Sequence, residues 1–334
     1  MDIKILSREE WNSHPAVELV CQGHNDETPI YRLKAGWYYG DLSIPILKDG
    51  SVCADLFKWL SSEKYNRFFG VLKGMELPCP DSTKIIEDHF IFYGSRVYYH
   101  FIVDFLGSLQ IHAISSILAD KKILIGRDLP PQYKKILVEI LSVYGYEGGS
   151  LASTDTTFFP FKNSFIQAQP AVADKIRNIR CLISKIELGP TLDLRRIFVL
   201  RGLVRRRMLM NEKELAYMLV KDFGFSVVNP GKLDIKGQVR HFRNARVIVG
   251  VHGGALTNAL FANNLKALIE INTVMYRPHL AGISSQLNAR HFCLAAKPLA
   301  IQEGATYNEY DQNMEIDLHT ARAFFRDLFG GKWA

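Results

Sequence analysis

Apolar positions along the chain fall into two rhythms that take turns. Short runs rich in Val, Ile and Leu, bounded by Gly or charged residues, read as buried strands. They are Lys121–Gly126, Phe158–Gln169, Ile197–Leu200, Phe225–Val228, Val247–Val251 and Ala267–Ile271. Between them, apolar residues recur every three or four positions, which marks helices with one buried face. Pro130–Tyr144 carries Tyr133, Ile136, Leu137, Ile140 and Leu141 on one side. Ala171–Glu187 carries Ile176, Ile179, Ile183 and Ile186 in the same way. Asn211–Phe223, a short helix at Val239–Asn244, Leu256–Phe261 and a last amphipathic helix over Ile316–Phe329 complete the series.

Strand and helix therefore alternate through both halves, which predicts an α/β chain with doubly wound sheets. Residues 1 to about 90 read differently, as short strands and turns such as Gly36–Gly40 and Ile44–Leu47. Phe57–Phe69 is expected to be a packing helix with an aromatic face. His89–Tyr93 alternates as a strand, and from Val97 the spacing of Phe101, Phe105 and Leu109 is helical. Pro170 marks a change of domain, giving an N-terminal domain over 1–169, a C-terminal domain over 170–315 and a tail helix over 316–334.

The chain has 334 residues, 48% hydrophobic and 22% charged, which is comfortable for two soluble domains. Its net charge of +7 and pI near 9.0 suit acidic substrates or an anionic membrane face. Basic residues do not form the stripe with interleaved aromatics that nucleic-acid binding would need. The five cysteines, Cys21, Cys53, Cys79, Cys181 and Cys293, are odd in number and widely spaced, which argues against a disulfide framework or structural zinc and for a reducing compartment. MDIKILSREEW has no charged-then-apolar leader pattern. No apolar run reaches the roughly 18 residues of a membrane helix. His279, His291 and Cys293 repeat no known metal-ligand spacing.

Chemistry gathers at Arg246–Asn272, RVIVGVHGGALTNALFANNLKALIEIN. A buried strand runs into His252, Gly253, Gly254 and Ala255, then into a short helix and a second buried strand. Two glycines leave the backbone bare where free N–H groups and the positive helix end point outward. Such a corner receives anions. Thr257 and Asn258, in the first turn, add side-chain donors. His252 stands at the carboxyl end of its strand, where open α/β sheets place ligands. The same residues also read as a close-packed strand–helix corner with a capping histidine.

Two further groups carry candidate chemistry. Ile197–Leu200 runs directly into Arg201, followed by Arg205, Arg206 and Arg207 and then by Asn211 and Glu212. Charge runs are usually solvated, but this one follows the carboxyl end of a buried strand, and an arginine can grip a phosphate with two parallel hydrogen bonds. His100 and Asp104 stand four apart, on one face of the helix that begins near Val97. They could equally be two members of an ordinary polar stripe.

HGGALTNALF, with the following strand ending Ile269-Glu270-Ile271, resembles the signature of glycosyltransferase family 61, also called the capsular-polysaccharide-biosynthesis or DUF563 group. This chain has Gly-Ala where the usual order is Ala-Gly. Arg201, Arg206 and Arg207 with Asn211 and Glu212, and Tyr99-His100-Phe101 with Asp104, resemble further motifs of that family. The resemblance implies the two-domain GT-B architecture, two Rossmann-like halves facing across a cleft, with a tail helix that often crosses back. Family members of a secretory pathway carry an N-terminal signal or anchor, so the leaderless start leads to the expectation of a bacterial or otherwise cytoplasmic member.

It also implies inverting transfer of a hexosyl or pentosyl group from a nucleotide-sugar donor to a glycan or lipid-linked glycan, as in capsule or lipopolysaccharide synthesis. Arg201, Arg206, Arg207, Asn211, His252, the 253–255 amides, Thr257, Asn258 and Glu270 are then expected at the donor. Asp104 and His100 are the two expected candidates for the base, Asp104 ahead; where they pair, His100 would orient the carboxylate. The chain has no D-x-D pair; its nearest approach is Glu315-Ile316-Asp317. Stabilisation of the leaving diphosphate is therefore expected without a metal. A non-catalytic nucleotide- or glycan-binding partner and a nucleotide-sugar-modifying enzyme are the competing expectations.

Overall fold

The computed structural model describes residues 4–21, 29–39, 44–53, 70, 85–91, 97–109, 121–126, 129–146, 151–154, 158–190, 192–201, 206–273, 278–299 and 312–330. The helix expected over Phe57–Phe69, residues 110–120 and Arg205 lie outside them. The chain divides into two compact units, Met1–Leu182 and Ile183–Ala334.

Unit 1 holds β1 (Lys4–Leu6), β2 (Val17–Cys21), β3 (Ile30–Tyr39), β4 (Ile44–Leu47), β5 (Ser51–Cys53), β6 (Ile86–Glu87), β7 (His89–Ile91), β8 (Lys122–Gly126), β9 (Leu151–Thr154) and β10 (Phe158–Gln167). Its helices are α1 (Arg8–Asn12), α2 (Pro131–Ser142) and the long α3 (Val172–Ser184). The main sheet runs β2-β3-β10-β7-β8-β9, with β4 beside β3 and β6 beside β10. It is antiparallel where the ten-residue strands β3 and β10 pair and parallel from β10 through β7 and β8 to β9. The parallel part needs crossovers, and α2 supplies the one between β8 and β9. Pro131 opens that helix at a position where no backbone donor is lost. Trp11, Tyr31, Leu33, Tyr38, Ile46 and Phe161 form part of the core.

Unit 2 is built on β11 (Arg196–Val199), β12 (Ser226–Val228), β13 (Val247–Val251), β14 (Ala267–Asn272) and β15 (Arg290–Ala295). All four pairings are parallel, in the order β12-β11-β13-β14-β15. This is a doubly wound order, and its direction reverses between β11 and β13. One face packs on α4 (Glu212–Phe223) and α7 (Leu318–Gly330) through Leu215, Leu219, Phe223, Phe225, Phe325 and the outward residues of β13 and β14. The other face packs beneath α5 (Ile235–Phe242), α6 (Pro278–Gln286) and a 3₁₀ segment, Gly254–Phe261. A two-stranded ribbon, β16 (Lys297–Pro298) with β17 (Met314–Glu315), leads into α7.

Phe325 is fully buried, with the rings of Phe223 and Phe225 at 5.5 and 5.7 Å. The Arg196 guanidinium lies 4.1 Å from the centre of the Phe329 ring and donates to the Phe223 carbonyl. Burying one such phenylalanine contributes roughly 1.5–3 kcal/mol, so this cluster anchors α7 to its own sheet.

Three elements differ from their sequence pattern. The expected 256–261 helix is 3₁₀ and begins at Gly254. Helix α5 starts four residues earlier than expected, because Asp234 caps it by accepting from the Gly237 N–H. The helix near Val97 widens into a π turn over His100–Phe105 and then tightens to 3₁₀ over Leu106–Ser108.

Candidate active site

In unit 2 the carboxyl ends of β11 and β13 lie side by side, since Val199 and Gly250 are in register. Two residues further on stand Arg201 and His252, at the sheet's reversal point. Gly250 has no side chain for a packing reason. A Cβ there would meet Leu256 Cδ2 at 3.0 Å and the Val199 carbonyl at 3.1 Å. The 3₁₀ segment therefore sits close on the strand.

Gly253 has φ 168° and ψ 171°, extended backbone open to any residue. Its lack of a side chain makes room for Arg201, whose Nη1 occupies the space a Cβ would take. That guanidinium donates from Nη1 to the His252 carbonyl at 3.0 Å, and from Nε and Nη2 to the Arg206 carbonyl at 3.2 and 3.1 Å. Arg207, with φ 56°, directs its own Nη1 to the same His252 carbonyl at 3.4 Å. The Arg201 backbone N–H is held by Glu212 Oε1 at 2.7 Å. No side chain caps the start of the 3₁₀ segment at Gly253. The N–H groups of Gly254 and Ala255 precede its first internal bond, from Leu256 to the Gly253 carbonyl. Both residues are partly exposed.

Thr257 and Asn258 are fully buried. Asn258 donates to Gln238 Oε1 at 2.9 Å, tying the 3₁₀ segment to α5. Asn211 clamps the end of the chain: its amide nitrogen donates to the Ile316 carbonyl and its oxygen accepts from the Ile316 N–H.

Glu270 is 1% exposed. Its Oε1 accepts from His252 Nδ1 at 2.6 Å and from Asn272 Nδ2 at 3.1 Å, and its Oε2 accepts from His291 Nε2 at 3.1 Å. Burial alone would raise its pKa, but the hydrogen bonds and charges of His252 and His291 outweigh it and bring the carboxyl down to about 2. Cys293, paired with Glu270 across the sheet, is shifted the other way by burial and by the Glu270 charge and stays a thiol.

In unit 1, His100 Nδ1 lies 2.6 Å from Asp104 Oδ2. The other oxygen, Oδ1, accepts from Lys175 Nζ at 3.0 Å, and Lys175 is 2% exposed. Burial would raise the Asp104 pKa, but the His100 hydrogen bond and the Lys175 charge bring it below its ordinary value. Gly107 lets the 3₁₀ turn press on α3: a Cβ there would meet the Lys175 Cβ and carbonyl at 2.9 Å. Ser108 donates to the Asp104 carbonyl at 2.5 Å, and Asn178 donates to the Gly107 carbonyl at 3.0 Å. The carboxyl end of the π turn is thus fixed, and such turns are frequent at functional sites. His100 itself is exposed.

The structure joins Arg201, Arg206, Arg207, His252, Gly253 and Glu270 in unit 2, and His100 with Asp104 in unit 1. Sequence reading missed Lys175 and the link from His291 to Glu270. Both left a signal. Lys175 falls on the stripe of Ile179 and Ile183, where a lysine must find an anion. His291 sits two before Cys293, on the same sheet face as Glu270.

Among the described residues, no group of three or more His, Cys, Asp or Glu side chains could hold a metal ion, and no helix is long and apolar enough to cross a membrane. A family model described as Glycosyltransferase 61 matches residues 98–269, just over half of the chain. The match takes in His100, Asp104, Arg201 and the glycine corner. No curated protein matches the chain.

Proposed function

The chain belongs to glycosyltransferase family 61, and on that premise we propose that it transfers a hexosyl or pentosyl group, with inversion, from a nucleotide sugar to a glycan or lipid-linked glycan of a surface polysaccharide. Membership implies a sugar donor and an acceptor. The observation that carries the donor site is the Arg201 guanidinium lying over Gly253 beside the uncapped N–H groups of Gly254 and Ala255, at the reversal point of a parallel sheet. Positive charge and bare amides in that place suit the diphosphate of a nucleotide sugar.

In the reaction proposed, the acceptor hydroxyl oxygen attacks the anomeric carbon as the bond to the diphosphate oxygen breaks. The diphosphate leaves with the electron pair, and its charge is met by the 254–255 amides, Arg201 and the 206–207 arginines. Removing one such donor typically costs about a hundredfold or more in rate. The acceptor proton goes to His100 Nε2. Asp104 is the weaker base, because both its oxygens are engaged and its pKa is lowered. It orients His100, and Lys175 holds it ionised. GT-B architecture, independence of metal and a cytoplasmic setting belong to the same reading.

The test is incubation with a panel of nucleotide sugars, following nucleoside diphosphate release with and without chelator. Slow release from one donor, undiminished by chelator and speeded by acceptor glycan, is expected. Nucleotide binding with no turnover of any donor would move the chain to a binding role. Loss of release in chelator would overturn the metal-free site.

A further inference from the structure

A buried carboxylate must be paired and hydrogen-bonded to stay charged. Glu270 has three donors, two imidazoles and an amide, on its two oxygens. Neither oxygen faces solvent, so the carboxylate is poorly placed to hold a ribose or sugar hydroxyl. The pairing also fixes a proton. Facing an ionised carboxylate, His252 Nδ1 must carry hydrogen. His252 then meets any ligand with Nε2, which makes no hydrogen bond among the described residues. That atom belongs to the first residue of the corner, whose carbonyl is already capped by Arg201 and Arg207. A neutral imidazole would turn a lone pair toward a phosphate there. A charged one would turn an N–H toward it.

We propose that Glu270, clamped by His291 and Asn272, orients His252 so that on protonation its Nε2–H donates to the diphosphate of the donor, and that diphosphate binding and protonation of His252 are one coupled event. The proposal rests on the donor-site reading above. His252 is the contacting group; Glu270 and His291 are positioning residues. The charges around His252 divide clearly. Glu270 favours the imidazolium, while Arg201, Arg207 and any charge on His291 oppose it. Cys293 stays neutral. A bound diphosphate tips that balance. The low pKa of Glu270 is consistent with a carboxylate that remains ionised throughout.

Inorganic pyrophosphate is the probe, since it carries the diphosphate without a base or sugar. Its affinity for the intact protein, measured by calorimetry from pH 5 to 9, should fall about tenfold per unit once His252 titrates. Glu270→Gln keeps a side chain of the same shape but removes the charge. It should move that fall to lower pH by about one unit, making binding about tenfold weaker well above the wild-type midpoint. His291→Gln should move it the same way by less, and His252→Gln should leave only the pH dependence that pyrophosphate's own ionisation brings.

Wild-type protein that binds no pyrophosphate would sink the donor-site reading and this proposal together. Binding with an unmoved midpoint in Glu270→Gln, or weaker by one factor at every pH, would sink the proposal alone, since a merely structural role does that. If Glu270→Gln does not fold, the His252 Cε1–H resonance of the wild-type protein decides. Its titration midpoint should rise when pyrophosphate is added, and a stationary midpoint overturns the coupling.

Discussion

Two glycines three residues apart should fail in opposite ways when each is replaced by alanine. At Gly253 the backbone is extended, so alanine meets no conformational strain. Its methyl group meets only the end of a flexible side chain, Arg201 Nη1, with Cζ next at 3.4 Å. Gly253→Ala should therefore leave the fold intact and swing the guanidinium away, breaking its three bonds to the His252 and Arg206 carbonyls. Bonds from a charged donor are worth about 1.5–3 kcal/mol each. Arg201 is partly exposed, and water replaces much of what is lost, so unfolding stability should drop by less than about 2 kcal/mol.

Pyrophosphate binding, which the guanidinium is proposed to serve, should weaken at least about tenfold, equal to about 1.4 kcal/mol. At Gly250 the neighbours cannot yield: Val199 Cβ and its carbonyl stand at 3.1 Å and Leu256 Cδ2 at 3.0 Å. Gly250→Ala should cost about 1–3 kcal/mol of stability through overpacking, with binding by the folded fraction little changed. Urea unfolding and calorimetry on the two variants side by side make the assay. Gly253→Ala binding pyrophosphate as the wild type does, or the two variants losing stability and binding in the same proportion, would refute the reasoning.

Other expectations can be checked separately. Phe325→Ala removes a fully buried ring from the contact between α7 and its sheet and should cost about 3–5 kcal/mol, read from the urea midpoint. His100→Ala should lower transfer about 10²- to 10⁴-fold while leaving pyrophosphate affinity unchanged; intact transfer would remove it as base. Glu270 titrates at about 2 in the folded chain against an ordinary 4.5. Its contribution, on the order of 3 kcal/mol, is present above pH 4.5 and disappears as pH falls toward 2. The acid limb of the stability curve should be shallower in Glu270→Gln, and an identical limb would contradict the shift.

Much of unit 2 could be read directly because its strands are buried on both sides, so runs such as VIVGV and ALIEI announce themselves without a partner. The boundaries of β13 and β14 follow from those runs. What could not be read depends on pairing at a distance. Strand ends and the family resemblance place Arg201 and the 253–255 amides at one donor site, but the seating of the guanidinium over Gly253 comes from the register of β11 on β13, which no local run shows. The 3₁₀ winding of 254–261 was hidden because Leu256 and Leu260 keep a helical spacing while the close fit over Gly250 draws the segment tight. The partner of Asp104 is a second such case: Lys175, seventy-one residues on, donates to one of its carboxylate oxygens, and only the packing of α3 shows it.

The loop that carries Arg206 and Arg207 is stitched to the far end of the chain. Met210 donates to the Met314 carbonyl, Met314 donates to Met208, and Asn211 clasps Ile316 on both sides. During synthesis, then, the glycine corner and the bonds of Arg201 and Arg207 around it can form well before the arginine loop gains its ties to Met314 and Ile316. A nascent chain halted short of residue 313 would carry the anion-facing amides with the arginine loop held only by Arg201 and the His252 carbonyl, and its remaining ties would close once residues 313–316 emerge from the ribosome.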